Sequence, residues 1–171
     1  MTEIEVKIEI KDIDRIKEKI TSLGAELIKD RFLEENTLYD FPTQLLYRQH
    51  QALRLRTANK KTFLTFKGAP QKSRKFKIRQ EYETEVKSAK NIRKILKELR
   101  LVPTVRYKKY RSVYRTNHLK ICLDETPFGI FMELEGERNE IVKAANALGF
   151  TKKEFIKLDY VQLMRQREVK N

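Results

Sequence analysis

The sequence predicts an α+β chain: an eight-stranded antiparallel β-barrel with helices packed outside it. Three observations point there. Eight segments alternate ionic and apolar residues with period two. Four others repeat apolar residues at the spacing of an amphipathic helix. The ionic faces also segregate by strand, acidic on the first and last and basic on the third, fourth and sixth. Period-two alternation places each ionic set on one surface of a sheet. A solvated face would serve as well with Thr, Ser or Gln, yet here charge takes nearly every position. A closed barrel accounts for this, with ionic faces toward a wet lumen and apolar faces outward under helices. Eight strands leave room for side chains or one small ligand. Unpaired buried ions cost several kcal/mol each, so such a lumen requires water, metal ions and a ligand of compensating charge.

The elements follow in order. Strand 3–10 sets Glu3, Glu5, Lys7 and Glu9 against Ile4, Val6, Ile8 and Ile10. Helix 12–23 starts at Asp12, stops at Gly24 and lines up Ile13, Ile16, Ile20 and Leu23. Strand 34–41 carries Asn36, Leu38 and Asp40 on one side, and 42–51 is a loop. Strand 52–57 opposes Arg54 and Arg56 to Leu53 and Leu55, and strand 62–67 opposes Thr65 and Lys67 to Leu64 and Phe66. The connector 68–75, GAPQKSRK, is a loop by its Gly, Pro and basic content. In strand 76–86, Lys77, Arg79, Glu81, Glu83 and Glu85 alternate with Phe76, Ile78, Tyr82 and Val86. Helix 88–100 starts at Ser88 and groups Ile92, Ile95, Leu96 and Leu99. Strand 105–115 puts Lys109, Arg111 and Arg115 together. Strand 119–124 opposes Lys120, Cys122 and Asp124 to Leu119, Ile121 and Leu123. Strand 130–135 opposes Glu133 and Glu135 to Met132 and Leu134, and helix 138–148 ends before Gly149. A last helix, 152–167, carries Phe155, Leu158, Val161 and Leu163. Strand, helix and strand at 3–41 echo those at 79–115, which suggests a pseudo-twofold pattern.

At 171 residues the chain is the size of one domain, spanning 1–171. Its 40% hydrophobic content is enough for a core and argues against wholesale disorder. Lys plus Arg is 38 and Asp plus Glu 24, a net charge of +14 that calls for an anionic partner. The single cysteine, Cys122, excludes an internal disulfide and a Cys-based zinc site. The start, MTEIEVKIEI, is acidic and alternating, unlike a secretory signal. No run approaches the ~20 apolar residues of a membrane helix. A soluble, cytoplasmic protein is expected, as a monomer or homodimer.

Two acidic pairs carry the chemistry. Glu3 and Glu5 lie roughly 7 Å apart on one strand face, with Lys7 next in line. Glu133 and Glu135 repeat that geometry near the other end, with Asp124 one hairpin away. If the first and last strands meet, the two pairs face each other. Carboxylates that close repel unless a metal or a shared proton lies between them, and a hard divalent ion, Mg²⁺ or Mn²⁺, suits oxygen donors. The basic set is Arg54, Arg56, Lys67, Arg79, Lys109 and Arg111. Arg grips phosphate oxygens bidentately and Lys acts as a point charge. Salt bridges with the lumenal acids would absorb some of these cations. Each pair alone also fits an exposed strand with a solvated face. Cys122 reads as a small filler, and His50 and His118 fall in turns.

Nine segments in this order resemble the CYTH superfamily, the triphosphate tunnel metalloenzymes: EIEVK at 3–7, ENTLYD at 35–40, ALRLR at 52–56, LTFKG at 64–68, RQEYETEV at 79–86, KYRSVY at 109–114, LDETPFG at 123–129, MELEG at 132–136 and the late Tyr160 in KLDYVQLM. The resemblance implies an eight-stranded antiparallel tunnel. It implies metal ligation by Glu3, Glu5, Glu133 and Glu135, with Asp124 or Glu83 assisting. It implies a triphosphate grip by Lys7, Arg54, Arg56, Lys67, Arg79, Lys109 and Arg111. Leu38 departs from the aromatic that many members carry at that position, and no histidine extends the first signature. The catalytic expectation falls on Glu3, Glu5 and Lys7, with Lys7 a phosphate ligand before it is a base. The expected activity is metal-dependent hydrolysis of inorganic, thiamine or nucleoside triphosphate. A cyclase releasing cyclic AMP and pyrophosphate from ATP is the alternative, and a polyphosphate- or RNA-binding module is a third. The paired acids argue against nucleic acid, since they repel phosphate without metal.

Overall fold

Every place where the sequence alternates becomes a strand. The computed structural model describes residues 2–168. Its strands are β1 (Thr2–Ile10), β2 (Glu26–Asp40), β3 (Ala52–Ala58), β4 (Lys61–Lys67), β5 (Lys77–Val86), β6 (Val102–Arg115), β7 (Leu119–Thr126) and β8 (Gly129–Gly136). The helices are α1 (Ile13–Ser22), α2 (Leu45–Arg48), α3 (Ala89–Glu98), α4 (Arg138–Leu148) and α5 (Tyr160–Glu168). The strands close into an antiparallel barrel in the order β1-β5-β4-β3-β2-β6-β7-β8, with helices outside it. Among the described residues no helix is long and apolar enough to cross a membrane.

Within the barrel the chain divides into two units. One comprises 3–32, 72–78 and 109 onward. Here Val6, Ile8 and Ile10 of β1, Ile121 and Leu123 of β7 and Met132 and Leu134 of β8 form one apolar layer. Ile16 and Ile20 of α1 and Ile141, Ala145 and Leu148 of α4 cover it. Burying each such side chain contributes roughly 1.5–3 kcal/mol. The other unit comprises 33–71 and 79–108, with Thr2. Tyr39, Leu55, Leu96 and Leu101 form its centre, and Ile92 of α3 packs against it. In both units the strands' ionic face is the one turned away from these helices.

Local chemistry sets the boundaries. Asp12 caps α1 by accepting from the Arg15 amide at 3.0 Å, and Ser88 caps α3 through Asn91 at 3.2 Å. The α4 helix ends at Gly149 with φ +94°, and Phe150 N–H closes back on the Ala145 carbonyl. The β3–β4 hairpin turns through Asn59 and Lys60, both at positive φ, the conformation a two-residue hairpin loop needs.

Three expectations need correction. The segment 152–167 is not one helix. A 3₁₀ turn at Lys152–Glu154 gives way to extended chain, and α5 begins only at Tyr160. The break is held by Ile156, whose backbone pairs both ways with Lys7 at 3.1 and 2.8 Å. The loop 42–51 contains the short α2, because Asp40 accepts from the amides of Phe41, Leu46 and Tyr47. Strand β2 starts eight residues before position 34, where Leu27 and Ile28 both face solvent and leave no alternation to read.

Candidate functional site

The α1–α4 unit carries a buried ionic cluster on β1, β6, β7 and β8. Register builds it: Glu5 lies opposite Glu135 and Lys7 opposite Glu133, while Arg111 lies opposite Asp124. Lys7 Nζ reaches Glu5 at 3.2 Å and Glu133 at 3.0 Å. Arg111 donates through Nε and Nη2 to both oxygens of Asp124 at 2.5 Å, and through Nη2 to Glu133 at 2.5 Å. Lys109 Nζ and the Tyr160 hydroxyl both donate to Asp124 Oδ2, at 3.0 and 2.5 Å. Lys77 lies 3.6 Å from Glu5 and 3.8 Å from Asp159. At the rim, Lys120 pairs with Glu135 at 2.6 Å. Four deeply buried cations, Lys7, Lys77, Lys109 and Arg111, thus meet three buried carboxylates, Glu5, Asp124 and Glu133.

Electrostatics fixes the protonation states. Burial alone would lower the Lys7 ammonium, but Glu133 and Glu5 outweigh it and raise its pKa. The charged ammonium that results is the form a phosphate ligand uses. Burial pushes the Glu133 carboxyl up, yet Lys7, Arg111 and Lys109 hold it well below the usual range. Burial also opposes the Arg111 charge, but Asp124 leads the groups that raise it. Tyr160 is held well above its ordinary value, first by burial and then by Asp124 and Glu133.

The second cluster belongs to the α3 unit. Arg56 lies opposite Asn36, and Arg54 opposite Leu38 and Thr65. Arg56 pairs with Glu83 at 2.8 Å and with the buried Glu34 at 3.4 Å. Asn36 donates to Glu34 at 3.1 Å, and Thr65 to Glu83 at 2.6 Å. Arg54 lies 3.6 Å from Glu83, and Lys67 2.6 Å from Glu81. Burial works against the Arg54 charge, but Tyr107, Glu34, Glu81 and Glu83 raise its pKa. Arg79 is buried in the same unit, and the Nε atoms of Arg54 and Arg56 are buried without a hydrogen-bond acceptor.

The expected residues therefore fall into two groups. Glu5, Lys7, Lys109, Arg111, Asp124 and Glu133 are gathered in one unit, with Glu135 at its rim and Glu3 half-buried two residues before Glu5. Arg54, Arg56, Lys67, Arg79 and Glu83 are in the other. Glu83 is held there by Arg56 and Thr65. Four participants were not singled out as site residues. Lys77 shares the parity of Arg79, Glu34 that of Asn36 and Glu81 that of Glu83, so alternation held the signal. Tyr160 arrives from a helix, and only its place in the motif series marked it.

Carboxylates of β1 and β8 share one face of the sheet. Glu5 and Glu135 are direct register partners, and Glu133 shares their face on β8. All three offer carboxylate oxygens, which suits Mg²⁺ or Mn²⁺. In this arrangement ammonium and guanidinium groups engage those oxygens, and no group of three or more His, Cys, Asp or Glu side chains is arranged around a single ion position among the described residues. Asp124 accepts three hydrogen bonds on Oδ2 and one on Oδ1.

The model of the CYTH domain matches residues 1–156. This chain belongs to the CYTH family. CYTH proteins are generally metal-dependent and act on small triphosphate substrates. A Methanocaldococcus jannaschii protein named as a candidate adenylate cyclase is 28% identical over 95% of this CYTH chain and 98% of its own length. The structure of another candidate adenylate cyclase, from Vibrio parahaemolyticus, superposes with a TM-score of 0.86 at 20% identity, covering 96% of this chain and 98% of that one. A Hippeastrum candidate adenylyl cyclase, described as having a dominant triphosphatase activity, gives a TM-score of 0.70 at 22% identity over 96% of each chain.

Proposed function

We propose that this chain is a metal-dependent triphosphatase that hydrolyses inorganic, thiamine or nucleoside triphosphate and releases orthophosphate. The observation that carries the reading is the buried ionic cluster of the α1–α4 unit, where Lys7, Lys77, Lys109 and Arg111 are gathered beside Glu5, Asp124 and Glu133. Arg forks and Lys point charges brought to one place are the groups that take phosphate oxygens. Phosphoryl transfer asks little more of a protein than positioning and neutralisation of developing charge.

The residues divide the work. Arg111 is fixed through Nε and Nη2 by Asp124 and Glu133, so Nη1 is the donor it would turn to a phosphate oxygen. Lys7 on β1 and Lys109 on β6, the strand that also carries Arg111, act as point charges. In the α3 unit, Arg54, Arg56, Lys67 and Arg79 offer a second set of phosphate ligands. Glu5, Glu133 and Glu135 would hold the divalent ion, assisted by Glu3. When bound there, such an ion would supply Lewis-acid neutralisation of phosphate oxygens and would acidify a water. Asp124 we assign to orienting Arg111 and Lys109, not to the ion. We place the enzyme in the cytoplasm and read 1–171 as one working domain.

The second reading is an adenylate cyclase, favoured by the name of the M. jannaschii relative. The same fold accompanies a described triphosphatase activity in the Hippeastrum protein, so fold alone does not choose. Incubation with tripolyphosphate, thiamine triphosphate and ATP, each with Mg²⁺ or Mn²⁺, separates the readings. Orthophosphate from any of them supports hydrolysis. Cyclic AMP with pyrophosphate from ATP overturns it in favour of cyclisation. No turnover with salt-sensitive RNA retention overturns both in favour of a binding module.

A further inference from the structure

We infer that Tyr160 is a positioning residue: its ring is a shared platform for the ammonium groups of Lys7 and Lys109, and its hydroxyl locks the carboxylate that orients Arg111. The inference rests on the proposal that these cations grip a triphosphate. Lys7 Nζ lies 4.9 Å from the ring centroid and Lys109 Nζ 4.5 Å. The hydroxyl donates to Asp124 Oδ2 at 2.5 Å. One side chain thereby touches two phosphate-binding candidates and reaches the third through Asp124, which both Lys109 and Arg111 also engage.

The placement is built from several directions. Tyr160 is only 5% exposed. Phe131 packs edge-on against its ring at 5.7 Å, and Phe128 lies 6.1 Å away. Four residues earlier, Ile156 pairs with the backbone of Lys7 itself, so the strap that delivers Tyr160 is tied to the strand that carries its first lysine. The strap turns into α5 through a reciprocal cap: Gln162 N–H donates to Asp159 Oδ1 and Asp159 N–H to Gln162 Oε1, each at 2.9 Å. Asp159, Tyr160 and Gln162 lie beyond residue 156, where the match to the CYTH model ends.

The chemistry explains why an aromatic serves here. A lysine has a long flexible stem, so a free ammonium loses much rotamer freedom when it meets a phosphate. A ring face attracts the ammonium through its quadrupole without neutralising its charge. Glu5 and Glu133 already pair with Lys7 and Asp124 with Lys109, and the ring adds a contact that cancels no further charge. The platform fixes two cations in advance, and preorganisation of that kind raises affinity by lowering the ordering cost.

Two variants separate ring from hydroxyl: Tyr160→Phe keeps the platform, and Tyr160→Leu removes it. The first measurement is the ¹H–¹³C spectrum of lysine-labelled protein, with Lys7 and Lys109 assigned through Lys→Arg variants. Ring-current shifts should move their ε-methylene protons upfield in the wild type and in Tyr160→Phe. Those shifts should vanish in Tyr160→Leu. The second is calorimetric titration with tripolyphosphate in metal-free buffer. Affinity should fall about tenfold or more in Tyr160→Leu, the loss of two buried cation–π contacts, and by less than about threefold in Tyr160→Phe. Absence of the upfield shift in the wild type overturns the platform even if Tyr160→Leu fails to fold. So does a folded Tyr160→Leu that binds tripolyphosphate like the wild type. A wild type that shows the shifts but binds no tripolyphosphate overturns the triphosphate reading and leaves the platform standing.

Discussion

Glu133 and Cys122 face each other across the β7–β8 ladder, and their burial has opposite consequences. Glu133 is kept ionised by Lys7, Arg111 and Lys109 against the cost of burial. Its folded pKa lies below the unfolded value of about 4.5, so it contributes stability above that pH and loses it as pH falls. Glu133→Gln should therefore be clearly less stable than the wild type at pH 7, and urea midpoints should converge as pH drops from about 5 toward 2. A constant gap over that range would contradict the ion-pair account. Cys122 has no such support. Burial pushes its thiol up to about 11, although Arg111 and Lys120 pull the other way. At pH 8 about one thiol in a thousand is ionised. Iodoacetamide should leave native protein unlabelled over hours and label it fully in denaturant. Rapid native labelling would show a thiolate that the buried site does not predict.

At the scale of elements, the β7–β8 hairpin is the frame on which the first cluster is built. It supplies Asp124, Glu133 and Glu135, and its register sets all three. Gly136 closes its far end at φ +158°, where an added Cβ would come within 2.7 Å of the His118 carbonyl oxygen. Gly136→Ala should cost about 1–3 kcal/mol in chemical denaturation, and a neutral result would show that this end of the ladder yields freely. β1 was legible because charge alternates with Ile and Val along it, and parity grouped Lys109 with Arg111 on β6 and Glu133 with Glu135 on β8. Elements without alternation were not legible. The first half of β2 exposes Leu27 and Ile28 alike. The break between residues 154 and 160 is a tertiary effect: the backbone of Ile156 pairs with Lys7, and nothing in the local sequence overrides a helical reading there. Tyr160 was legible as a motif residue and not as a neighbour of Lys7, since a residue over 150 positions away in the chain has no periodicity to share.

At the scale of the whole molecule, the net charge of +14 draws polyanions to the chain as a general field, and salt screens that field. The account makes a narrower claim: the ionic faces hold a triphosphate at defined residues. Lys109→Met tests it without leaving Asp124 bare, because Arg111 and Tyr160 still donate to that carboxylate. The direct measurement is calorimetric titration of wild type and Lys109→Met with tripolyphosphate at 0.15 M salt. The account predicts saturable one-to-one binding by the wild type and a loss of about tenfold or more in the variant. Equal affinity in the two, or binding of many equivalents that vanishes with added salt, would contradict it.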